Sequence, residues 1–87
     1  MDIKDVIYAL VEAGEYEISQ HCLIEMDKDG ISIDQVENTI LEGKIAKRKP
    51  EEKRYTYKWN HLMCCLEIIS RDNNYYITVI TAGRERR

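Results

Sequence analysis

His21 and Glu25 stand four residues apart in a stretch with helical apolar spacing, so one turn of helix brings an imidazole and a carboxylate onto the same face. Histidine changes charge near neutral pH and suits general acid or base work, and the carboxylate can orient or charge it. Further along, Tyr55 and Tyr57 offer phenols that stack on flat ligands or give up a proton, and they alternate with Arg54 and Lys58. The sequence ends on Arg84-Glu85-Arg86-Arg87, whose guanidinium forks match phosphate oxygens. Each group also has a structural role open to it. His21 can hold a helix to a strand through a hydrogen bond, the tyrosine face can pack beneath helices, and the arginine tail can be a solvated end. Arg54 and Tyr57 fall on opposite faces of one strand, so a single ligand meets both only at an open edge. His21, Cys22, His61, Cys64 and Cys65 are zinc-ligand types, but no Cys-x-x-Cys exists and adjacent Cys64 and Cys65 diverge, so neither a metal nor another cofactor is expected.

The elements that must hold these groups change character between Gly43 and Lys44. Residues 1–43 balance at −9 and residues 44–87 at +6, within a net charge of −3. Such a basic excess in one half can be the footprint of a polyanion, or simply a solvated face. In the acidic half Ile3, Val6, Ile7, Leu10 and Val11 form one stripe of a helix ending at Ala13-Gly14. Ser19 caps a second helix that points Cys22, Leu23 and Met26 inward, with Ile18 and Leu23 as a staple and Gly30 as terminator. Ser32 and Gln35 form the capping box of a third, stapled by Ile31 and Val36 and ended by Gly43.

Beyond Gly43 the apolar period becomes two. Lys44 to Lys47 reads as a short strand and Pro50-Glu51-Glu52 as a turn. Arg54–Trp59 and Leu62–Ile69 read as strands, Asp72-Asn73-Asn74 as a hairpin loop, and Tyr75–Ala82 as a central strand apolar on both faces. The expected fold is a single α+β domain over residues 1–87, helices in 1–43 packed on a three- or four-stranded antiparallel sheet in 44–87. An acidic start is not expected of a signal peptide, no apolar run approaches the roughly 20 residues of a membrane span, and an odd number of cysteines with two of them adjacent argues against a disulfide framework. A cytoplasmic protein is expected.

The run from Ser19 to Ile31 resembles the pattern Ser-x-His-Ala-x-x-Arg-Met-x-x-Arg-Gly-Ile of an uncharacterised bacterial and archaeal domain family. The match continues through Val36, Gly43, Tyr55 and the strand Tyr76–Thr81. That family is similar to the small RelE, BrnT and MqsR ribonuclease toxins, in which helices pack on a short antiparallel sheet. The resemblance implies metal-independent cleavage of messenger RNA and a partner antitoxin, with homodimerisation left open. Under it His21, Arg54, Tyr57 and Arg84 form the catalytic set, and Lys47, Arg48, Lys58, Arg86 and Arg87 contact RNA. Glu25 and Asp29 depart from the pattern: they replace two arginines with charges that repel phosphate. A catalytically silent RNA- or protein-binding module of the same fold is therefore the competing expectation.

Overall fold

The computed structural model describes residues 2–85. Helix α1 spans Ile3–Glu12, opened by the Asp2 carboxylate accepting from the Lys4 N–H at 3.2 Å, and it buries Ile7 and Val11. Helix α2, Gln20–Asp29, starts at Ser19, whose hydroxyl accepts from the Cys22 N–H at 3.1 Å, and stops at Gly30 in the left-handed region (φ 63°). Helix α3, Ile33–Glu42, carries the expected capping box between Ser32 and Gln35. Leu23 corrects the sequence reading: it is half exposed, because Cys22 and Met26, one turn apart, define the buried stripe and Leu23 lies 100° round from it.

The sheet has five strands in the order β1-β5-β4-β3-β2, with β1 at Glu17–Ile18, β2 at Lys44–Lys49, β3 at Arg54–Trp59, β4 at Leu62–Arg71 and β5 at Asn74–Arg84. It is mixed rather than wholly antiparallel, since β1 runs parallel to β5 through Glu17–Thr78 and Ile18–Val79. The acidic half therefore contributes a strand, two residues long and too short to show a period. A single 3₁₀ turn, Pro50–Glu52, is the only helical segment found after Gly43 among the described residues. The central strand is β4; β5 is flanked on its far side only by β1.

All three helices lie on one face. Beneath them alternate strand residues form the core: Tyr55 and Tyr57 of β3, Leu62, Cys64, Leu66 and Ile68 of β4, and Ile77, Val79 and Ala82 of β5. A bulge opposite Cys65-Leu66 inserts Ile80, so that Val79 and Ala82, three apart, both point inward. Two tight turns, Asn60-His61 and Asp72-Asn73, take positive φ at both positions as a two-residue hairpin requires.

Candidate nucleic-acid interface

Alternation turns the other set of strand side chains toward the uncovered face. Register pairs Lys44 with Lys58, Lys47 with Thr56 and Lys49 with Arg54, so five cations of the β2–β3 hairpin share that face. Lys44 and Lys47 meet there although they are an odd number of residues apart, because a bulge at Ala46 resets the parity of β2. The row Lys47, Thr56, Cys65, Thr81 runs across four strands, a width of about 14 Å at the usual strand spacing. Lys47, Lys49, Arg54, Thr56 and Cys65 line a shallow cleft of about 120 Å³ at its basic end. At the other end Tyr76 is half exposed, with the Arg71 guanidinium 5.7 Å from its ring centre.

Three of the five cations have carboxylate partners: Lys49 with Glu52 at 3.6 Å, Arg54 with Glu67 at 3.9 Å and Lys58 with Glu85 at 2.6 Å. The Lys58 hydrogen bond and charge hold the Glu85 carboxyl below its ordinary pKa. All three pairs are solvent-exposed and so weakly held. Lys44 and Lys47 have no carboxylate within ion-pair distance among the described residues.

The expected catalytic set is dispersed. His21 sits on the first turn of α2, its side chain 72% exposed, with Nε2 3.5 Å from Glu25 Oε1. That oxygen is shielded from solvent and makes no hydrogen bond among the described residues. Arg84 lies at the other end of α2, eight residues and about 12 Å along the helix. Its Nε donates to the Asp29 carbonyl at 2.8 Å and its Nη2 to the Gly30 carbonyl at 3.2 Å. Asp29, one of the two departures from the arginine pattern, also accepts from the Arg84 N–H through Oδ2 at 3.4 Å. Tyr57 points into the core on the helical side, and Arg54 points away from it. Of the expected RNA contacts, Lys47 and Lys58 share the outer face with Arg54, Arg48 turns to the helical side, and Arg86 and Arg87 lie outside the described residues. Lys44, Lys49 and Tyr76 are the members of this face that the sequence alone left out; strand alternation flags Lys49 beside Lys47, and only the bulge adds Lys44. No three His, Cys, Asp or Glu side chains cluster as a metal would require among the described residues, and no helix there is long and apolar enough to cross a membrane.

Three helices over one face of a five-stranded sheet, with the other face open and basic, define a small α+β domain. The chain belongs to the family described as domain of unknown function DUF4258, whose profile it matches over residues 18–86. Helix α1 precedes the matched region. No curated protein and no solved structure matches the chain.

Proposed function

We propose that the protein is an RNA-binding module of the small toxin-like kind, which holds single-stranded RNA against the open face of the sheet. The observation that carries this is the cluster of Lys44, Lys47, Lys49, Arg54 and Lys58 on one face of a chain whose net charge is −3. Phosphates follow clustered cations, and an exposed ring such as Tyr76 gives a base a stacking partner at the far end of the face. Binding without cleavage is favoured over a messenger-RNA endoribonuclease. A base, a cation and an acid must meet at one phosphate, whereas His21, Tyr57 and Arg84 lie on the helical side and Arg54 on the other.

The His21–Glu25 pair is the observation that keeps cleavage as the second reading. For the antitoxin that the resemblance to RelE, BrnT and MqsR toxins implies, we assign the acidic helical layer, where Leu23, Ile24 and Ile33 are exposed, and a cytoplasmic setting.

The test is to incubate the full chain with labelled single-stranded RNA in the presence of a chelator. Intact, retarded RNA is expected, and Lys47→Glu with Lys58→Glu should weaken binding at least about tenfold. Fragments that disappear in His21→Ala would replace binding by cleavage, and growth arrest on induction would extend that to a toxin. No RNA affinity even at low salt would refute both.

A further inference from the structure

Around the β2 edge from the basic face lies a second concavity, on the helical side and walled by α1, which precedes the region shared with the family. It is a groove of about 380 Å³, within the size range of small-molecule sites. Lys4 of α1 and Lys44 and Arg48 of β2 line it, together with Asp5, Tyr8, Leu41, Ile45 and the phenol of Tyr57. None of the three cations is ion-paired with a carboxylate among the described residues. Tyr57 is 2% exposed as a residue, but its hydroxyl is not among the buried unpaired atoms and makes no hydrogen bond among the described residues, so what is accessible of it opens on the groove. A phenol O–H with no protein partner that faces the groove is a donor left available to whatever fills it. Burial is the main cause that raises the Tyr57 pKa, and the Arg48 guanidinium acts against it.

The chemistry on the two walls differs. Arg48, Lys4, Lys44 and the Tyr57 O–H are all donors, the set that an oxyanion bearing two charges needs. Leu41, Ile45 and the half-exposed ring of Tyr8 supply a flat apolar surface, and Asp5 supplies an acceptor for a hydroxyl or an exocyclic amine. A bare phosphate would leave the apolar wall and Asp5 unused.

We propose that this groove binds a nucleotide through its phosphomonoester group, held by Arg48, Lys4, Lys44 and the Tyr57 hydroxyl, with the base against Tyr8. The nucleotide is either free or the phosphorylated end of an RNA; the shared chemistry is the monoester. The site meets the open sheet face at Lys44, on the β2 edge, but its other donors, Arg48, Lys4 and Tyr57, lie on the helical side, so it does not depend on that face.

Calorimetric titration of the full chain with adenosine 5′-monophosphate and with adenosine tests the proposal. The monophosphate should bind at least about tenfold more tightly than the nucleoside, and Arg48→Ala should lower its affinity by about the same factor, the worth of one charge-assisted contact. Tyr57→Phe keeps the buried ring and should weaken the monophosphate several-fold without affecting adenosine. Lys28→Ala, in the last turn of α2 and outside both the groove and the sheet face, should change nothing. Equal binding of the two compounds, no binding of either, or monophosphate affinity indifferent to both Arg48→Ala and Tyr57→Phe would overturn the proposal. A second arm compares 5′-phosphorylated and 5′-hydroxyl oligonucleotides. A gain from the phosphate that vanishes in Arg48→Ala identifies the RNA end as ligand, and no gain alongside monophosphate binding identifies the free nucleotide.

Discussion

The guanidinium of Arg84 closes the C-terminal end of α2 by donating to the carbonyls of Asp29 and Gly30, groups that the helix itself leaves unpaired. Arg84→Ala should therefore lower stability by about 1 kcal/mol, read as a shifted urea midpoint at unchanged slope. Loss of function in that variant should scale with loss of folded protein. The buried thiols and phenols set a limit at high pH. Burial is the main cause that pushes Cys22 up to about 11, with Glu25 adding to it. Burial likewise pushes Cys64 up to about 12, helped by Cys22 and Cys65, and Tyr57 up to about 12. Tyr16 is raised further by burial and by its hydrogen bond to Glu37 at 2.5 Å. In each case the fold favours the protonated form. Their contribution is complete below about pH 8, where unfolded thiols begin to ionise, and is lost as pH rises through about 8 to 12. Urea midpoints should hold level from about pH 7 to 8 and fall increasingly steeply above it.

Gly43 marks where the helical half meets the sheet, and its backbone is pressed between two others. A Cβ there would stand 2.2 Å from the Thr39 carbonyl oxygen and 2.5 Å from that of Lys58. Its φ of −85° is open to any residue, so the demand is for space alone. Gly43→Ala should destabilise the fold by about 1–3 kcal/mol, measurable as a lower thermal midpoint. Local signals made most elements legible in the sequence. Ser19, Ser32 with Gln35, and Gly30 act through hydrogen bonds or conformations confined to a few residues, and period-two apolar runs marked β3 and β4. What stayed hidden depends on distant partners. Glu17 and Ile18 form a strand only because β5 lies beside them, and the Ile80 and Ala46 bulges exist only in register with a neighbour. The Ala46 bulge mattered most for the site, since it brings Lys44 onto the face of Lys47 and leaves Arg48 on the other side. Arg54 and Tyr57 were rightly separated by alternation, whereas the capping role of Arg84 required the long-range docking of α2 on β5.

Across the whole molecule the sequence's division of charge becomes a division of surfaces, the acidic helices on one side and the basic hairpin on the other. A net charge of −3 keeps the molecule as a whole from attracting a polyanion, so any RNA affinity must come from the clustered face and must be sensitive to salt. Lys44 and Lys47, without carboxylate partners among the described residues, are the cations most available to phosphate. The decisive measurement is the affinity for a labelled single-stranded RNA across a salt series, for the unaltered chain and for Lys44→Ala with Lys47→Ala. The account predicts binding at low salt that weakens linearly on a log–log plot, with a slope shallower by about 1.4 in the double variant, about 0.7 for each lost contact. An identical slope and affinity in the two proteins, or no binding at low salt, would contradict it.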